Sequence, residues 1–294
     1  MVLQGDIMEY VQKDMKKFEG IYYPLKASPL ERMLITKLPP EMLHPNPDDE
    51  FTHLDVGPSL QIINDYGAKI RERTFNGDTP FEERLIVEKM SPKGYMIING
   101  HHRWAAAMRN GLKRVPVTIV NLTHEQDLRD AINKSHTNKR AALDLDEVVL
   151  CFKENEKKEI GSSTLRNLFY REPLRLGIPA IINELHKYDY DVWVYTRGFR
   201  STDYINKLIK GYNSKFDGII NGMGNRPYSA TEGDVMGMIE KKYVSSLHIE
   251  LGSVLWVNSV SRDSKIFDIE DPDTNWSKKV IDIINDIEKN APAN

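Results

Sequence analysis

Two groups of residues in this chain are suited by type and spacing to holding oxygen-rich anions. In Asn99-Gly100-His101-His102-Arg103 a glycine is followed by two imidazoles and a guanidinium, at the head of an alanine-rich run. A helix that begins there leaves its first backbone N–H groups unpaired at the positive end of its dipole, an arrangement that favours phosphate. Gly100 allows close approach of the backbone, His101 and His102 offer ring nitrogens, and Arg103 has the planar fork for a bidentate phosphate clamp. The plain alternative is a helix start with a surface arginine and two solvated histidines. The second group is Asp144 and Asp146 in the run AALDLDEVV. Alternation along an extended segment points both side chains to one face, and two close carboxylates raise one another's pKa unless a cation compensates. Magnesium, a hard cation that takes oxygen ligands, would supply that compensation. The competing reading makes Asp146 the N-cap of a helix starting at Glu147, with Asp144 in a turn. Thr196 closes another apolar run about fifty residues later and brings a hydroxyl to a strand end. Asp48, Asp49 and Glu50 lie in a Pro-rich loop; Glu50 is the candidate to face the phosphates through magnesium, although such acids also occur simply solvated.

Positioning these groups requires alternating strands and helices. Ile7 to Phe18 has the spacing of one helical face. Met33 to Leu38 reads as a strand leaving into the turn chemistry of HPNPDDEF. Gly94 to Asn99 reads as a strand, His101 to Asn110 as a helix stopped by Gly111, and Val115 to Val120 as a second strand. Thr123 and Gln126 have capping-box spacing for the next helix. The polar stretch NKSHTNKR then sets a domain boundary near Lys139, giving domains 1–138 and 139–294. Beyond it the expected order is strand AALDLDEVV, helical material, strand Tyr190 to Thr196, helix Ser201 to Tyr212, strand FDGII, helix Glu232 to Tyr243, strands SLHIEL and VLWVNS, and a closing helix from Trp276 to Ile287. Strands alternating with helices imply an α/β fold whose parallel sheet is covered on both faces. Asp263, Asp268, Glu270 and Asp271 read as a solvated acidic loop, and the four tryptophans as core.

Composition limits the function classes. The chain has 294 residues, 40% hydrophobic and 28% charged, as expected of a globular protein of two domains. The net charge is −3 and both halves are slightly acidic, so no global basic field draws the protein onto DNA; any DNA contact must be local. The single cysteine, Cys151, excludes an intramolecular disulfide, no Cys/His cluster has zinc spacing, and a reducing cytoplasm is the expected location. The N-terminal residues lack the apolar core of a signal peptide, and no run approaches the length of a membrane span, so no membrane partner is expected.

The run GYMIINGHHRWAAAMRNGLKRVPVTIV, with Gly100, Arg103 and Ala106 in the spacing G-x-x-R-x-x-A, resembles the ParB/sulfiredoxin superfamily, as does the loop at His44 to Pro47. The resemblance covers roughly Glu31 to Leu122. It implies an α+β domain that holds a nucleoside triphosphate, ATP or CTP, at Gly100 to Arg103. Asn99 stands where serine kinases of that superfamily carry an aspartate, and His101 and His102 stand where sulfiredoxins carry their cysteine. Neither of those reactions is therefore expected.

The pattern strand, Asp144-x-Asp146, strand, Thr196 resembles the haloacid dehalogenase-like phosphohydrolases. That resemblance implies a Rossmann-like parallel sheet with at most a small cap. It makes Asp144 the nucleophile and Asp146 the proton donor, with Thr196 holding a phosphoryl oxygen and Asp144, Asp146 and Glu250 holding Mg²⁺. The family's basic residue would be Lys241, Lys242 or Arg226. Glu250-Leu251-Gly252 supplies one carboxylate where the family carries two. Two functions follow as expectations. One is a nucleotide-binding domain joined to a Mg²⁺-dependent phosphatase acting on a phosphorylated small molecule. The alternative is a DNA-partition or regulatory protein whose second domain is an inert scaffold, with a nuclease ranked behind both.

Overall fold

The computed structural model describes residues 7–19, 21, 23–152, 156–160, 172–222, 237–270 and 275–290. They form two compact units, one up to Leu122 and one from Thr123 onward. The first unit opens with α1 (Ile7–Lys16), which buries Ile7 and Val11. A short strand, β1 (Tyr23–Pro24), precedes α2 (Pro29–Leu34). Ser28 caps α2, accepting from the Glu31 N–H at 3.1 Å, and Pro29 stands at the first turn where its missing N–H costs nothing. That cap draws Met33 and Leu34 into a helix and corrects the expected strand: only Lys37–Leu38 (β2) is extended. After β3 (Leu43–His44) come α3 (Leu60–Phe75), β4 (Leu85–Ser91), β5 (Tyr95–Asn99), α4 (His101–Arg109) and β6 (Val115–Val120). The strands form a mixed sheet in the order β2-β6-β4-β5-β3, with β1 paired to β4. β5, α4 and β6 match the sequence expectation closely. The alanines of α4 explain why: Ala105, Ala106 and Ala107 are fully buried and let the helix lie close on the sheet.

In the second unit α5 (Glu125–Lys134) starts one residue later than the Thr123 cap implies. The Thr123 hydroxyl and N–H both donate to Asn221 Oδ1, at 2.9 and 2.6 Å, so Thr123 is not free to cap. Asp127 instead accepts from the His124 N–H at 2.9 Å. β7 (Lys139–Asp144) runs into a single π-type turn over Leu145–Val149. Then follow α6 (Ile178–Lys187), β8 (Tyr190–Thr196), α7 (Thr202–Lys210) and β9 (Gly218–Asn221). Residues 237–242 are helical, and the earlier part of the helix expected from Glu232 lies outside the described residues, as do Arg226 and Asp271. β10 (Ser245–Ile249), β11 (Ser253–Asn258), β12 (Asp263–Asp268) and α8 (Trp276–Asn290) complete the unit.

The sheet order is β12-β11-β10-β7-β8-β9, with β10, β7, β8 and β9 parallel and β11 and β12 antiparallel at one edge. Asp263 and Asp268 therefore bound an edge strand and not a loop. Lys265 and the acids at its ends are the charges that keep such an edge from pairing further. One face of the sheet packs Leu143, Val192, Val194 and Leu247 against α6, α7 and α8. The other places Trp193 against Tyr243, Ile239 and Leu128. Trp104, Trp193 and Trp276 are buried and Trp256 packs on the core, as expected. No helix among the described residues is long and apolar enough to cross a membrane.

Gly218 exists to admit Trp193. A Cβ there would lie 2.2 Å from the indole ring. Gly218→Ala is therefore expected to lower unfolding free energy by about 1–3 kcal/mol through overpacking, measured as a lower urea midpoint at unchanged slope.

Candidate functional site

Gly100 heads α4 in a left-handed conformation, with φ +105°. Only glycine adopts it without strain, and a Cβ there would sit 3.1 Å from Leu85 and 3.2 Å from the Arg103 guanidinium. No side chain caps the helix, which leaves its first N–H groups directed outward beyond Gly100. The two histidines do not face that opening. His101 is buried; its Nε2 accepts the Asn46 N–H at 3.1 Å and its Nδ1 lies 3.3 Å from Asp49. His102 Nε2 accepts the Ser59 N–H at 3.1 Å. Both rings contact Phe51. They therefore tie the loop after β3 and the start of α3 to the first turn of α4.

Arg103 is also an internal fastener. It is 6% exposed and donates to the carbonyls of Glu83 and Arg84 at 2.9 and 3.3 Å and to Asn99 Oδ1 at 2.7 Å. The guanidinium thus braces the entrance to β4 and the end of β5, and the backbone amides of the first turn are left as the candidate for meeting an anion. Beside it lies a cleft of about 460 Å³ lined by Lys69, Arg73, Asp78, Phe81, Glu83 and Arg103. Of the three loop acids, Asp49 faces the site through His101, while Glu50 is exposed. Thr52 holds that loop: its hydroxyl donates to the Asp49 carbonyl at 2.7 Å, with the Pro47 and Asn46 carbonyls as alternative acceptors at 3.0 and 3.1 Å.

In the second unit, parallel pairing places Asp144 opposite Tyr195, next to Thr196. Asp144 is the N-cap of the turn that follows: its Oδ1 accepts the N–H groups of Asp146 and Glu147 at 2.7 and 2.8 Å. The two acids are consequently not alternating residues of one extended strand, and the capping role expected of Asp146 belongs to Asp144. Asp146, in the turn, comes back to Thr196, whose hydroxyl donates to Oδ2 at 2.5 Å. Asp144, Asp146 and Thr196 are thus brought together. Glu250 follows β10 on the same edge and is exposed; its charge and that of Asp144 both act on Tyr195, whose phenol is pushed up by burial first and by these carboxylates second. Lys242 donates to the Ser135 carbonyl near the opposite ends of the strands, and Lys241 is exposed.

Sequence reasoning missed Arg200. Its guanidinium donates to Asp146 Oδ1 and forks onto Glu172, with Nε 2.8 Å and Nη2 2.7 Å from Oε1. The available signal was the turn itself. The Gly198 N–H donates to Thr196 Oγ1 at 2.9 Å, folding Arg200 back over the strand end. The positive charge that two neighbouring acids require is therefore supplied by the chain. Among the described residues no three His, Cys, Asp or Glu side chains form a group that could hold a metal ion. With Asp146 engaged by Thr196 and Arg200, the residues present do not fit Mg²⁺.

The strand, the left-handed glycine and the uncapped helix of the first unit lie within a segment that matches a known domain family. Residues 27–136 match the model of the ParB N-terminal domain. The ParB match includes α5, whereas packing joins α5 to the second unit through Leu128. Among solved structures, the chain is similar to the C-terminally truncated chromosome-partitioning protein ParB from Caulobacter crescentus complexed with CTP-gamma-S, at 24% identity over 35% of this chain and 54% of that one, with TM-score 0.24. The same ParB complexed to the centromeric parS site matches at 24% identity over 35% and 49%, with TM-score 0.22. This chain spans about half the length of those ParB chains. No curated protein matches it.

Burial pushes the His101 imidazole down to about 4; the Asp49 carboxylate opposes this and His102 adds to it. An unfolded histidine takes up its proton near 6.5, so on acidification the unfolded chain is protonated first. The stability held by neutral His101 is complete above about pH 6.5 and is lost between there and about pH 4. Urea midpoints measured across that window should fall in the wild type and fall less steeply in His101→Gln.

Proposed function

We propose that this chain is a ParB-type nucleotide-binding protein, in which the start of α4 grips the phosphates of a nucleoside triphosphate and nucleotide occupancy governs association with DNA. The observation that carries the reading is the uncapped first turn of α4 behind Gly100, braced from below by Arg103 and lying within the matched ParB domain. Backbone amides there supply several hydrogen bonds to charged oxygens, each worth about 1.5–3 kcal/mol. The similar ParB structures hold a CTP analogue and parS DNA, and these define the ligand classes to test. With a net charge of −3, contact with DNA rests on a local surface.

In this reading the second unit is a scaffold. Its parallel strands in the order β10-β7-β8-β9 and its register, which sets Asp144 opposite Tyr195 and so next to Thr196 in the chain, support the resemblance to haloacid dehalogenase-like folds. Engagement of Asp146 by both Thr196 and Arg200 argues against turnover, since each of its carboxylate oxygens is already taken by the chain. One observation favours a phosphohydrolase as the second reading: Asp144 uses Oδ1 for the turn, and among the described residues its Oδ2 has no partner at the strand end opposite Tyr195.

Calorimetric titration with CTP and with ATP should show saturable binding of at least one of them. Arg103→Ala and Gly100→Ala should each weaken it about tenfold or more, with circular dichroism reporting retained fold. Absence of binding by either nucleotide would refute the reading. In a separate assay with Mg²⁺ and p-nitrophenyl phosphate, release by the wild type should not exceed that of Asp144→Asn. Release confined to the wild type would instead establish the phosphohydrolase.

A further inference from the structure

One cation of the second unit makes no ion pair with any described residue. Arg140, on β7, is 8% exposed, and among the described residues its side chain forms no hydrogen bond and keeps a buried Nε without a partner. The Tyr243 ring lies 5.9 Å from the guanidinium carbon, and the Glu240 charge acts on it from beyond ion-pair distance. Asp191 stands opposite it in register on β8, yet that carboxylate accepts the Tyr243 hydroxyl at 2.7 Å and makes no ion pair with Arg140. Removing a charge from water costs several kcal/mol, and burial here outweighs the favourable pull of Tyr243 and Glu240, so an arginine kept in such a place calls for a further partner.

The sheet shows what surrounds it. Side chains two residues apart share a face, so Arg140, Ala142 and Asp144 of β7 line one face. Register puts Ser246 and His248 of β10 and Asp191, Trp193 and Tyr195 of β8 beside them, the Trp193 indole lying over Gly218 of β9. His248 and Tyr195 are half-buried and, like Arg140, have no hydrogen-bond partner among the described residues. Ala142, between them, is buried and contributes only a methyl group, leaving a low point in the row. The His248 imidazole is pushed down by burial and then by the Arg140 charge, which fits a neutral ring with an N–H to give. A guanidinium fork, an imidazole and a phenol are all hydrogen-bond donors, and no described residue accepts from these three side chains.

We infer that Arg140, His248 and Tyr195 form an oxyanion-binding site on the face of the second sheet, taking a phosphate group. Long side chains reach diagonally across the roughly 7–8 Å between neighbouring strand positions, so one tetrahedral anion above Ala142 can meet all three. Asp144, Glu250 and Glu147, whose charges all act on Tyr195, repel the anion and confine it to the Arg140 end. The inference rests on these side chains and is independent of the roles read for Gly100 and Asp144.

The test is an NMR titration of the full-length protein with inorganic phosphate, following the His248 ring signals assigned with His248→Gln. Phosphate should move these signals saturably and shift the titration of the ring to higher pH, because a bound anion favours the imidazolium. Both effects should persist in Arg103→Ala, which separates this site from the first turn of α4. Arg140→Lys, which keeps the charge and loses the fork, should bind about tenfold more weakly, and Arg140→Met should not bind. Saturating phosphate that leaves His248 unmoved in the wild type would overturn the inference. So would wild-type affinity in Arg140→Lys or in folded Arg140→Met.

Discussion

Parallel pairing of β7 with β8 is the constraint on which the second unit's chemistry depends. The register from Lys139 opposite Tyr190 to Asp144 opposite Tyr195 sends both strands to the same edge, and β9 and β10 join them there. Residues that end these strands, Asp144, Thr196, Asn221 and Ile249 with Glu250 behind it, meet although they are far apart in sequence. Carbonyls and side chains at such an edge have no further strand to satisfy them. The first unit meets the same need with one glycine. β5 stops, Gly100 turns through a conformation closed to other residues, and α4 begins with its amides uncovered.

Much of this arrangement was legible because it is local. The strand β5, the helix α4 and the strand β6 follow from an apolar run, a glycine, an alanine face and another apolar run. β8 was bounded to the residue for similar reasons. What escaped depended on distance or on competition. α3 and β4 sit in a stretch of mixed polarity with no periodic signal strong enough to assign. β12 is an exposed edge strand, so its sequence is charged and reads as a loop. The cap of α5 moved because Asn221, ninety-eight residues away in sequence, captures Thr123. Site residues divide in the same way. Gly100, Asp144 and Thr196 could be named from local pattern, whereas the engagement of Arg103 with the carbonyls of residues 83 and 84 is a tertiary fact.

Arg200 illustrates how charge logic can be right while its agent is wrong. Asp144 and Asp146 do require compensation, and a divalent ion is one answer. The chain gives another: a guanidinium that reaches Asp146 and Glu172 together, in the fork geometry that makes arginine the usual partner of carboxylates. A free ion can be lost or exchanged, but a side chain on a tight turn stays near its acid. The cluster is accordingly self-contained, and its geometry argues for permanence over chemistry.

Asn221 joins two otherwise separate pieces of backbone. Its amide oxygen holds the first residue of the second unit, and its amide nitrogen donates to the carbonyl of Arg200. Tension on the polypeptide at position 123 is therefore felt at the turn bearing the guanidinium without passing through the hydrophobic interior. A single primary amide is the rivet between the entering chain and the acidic cluster.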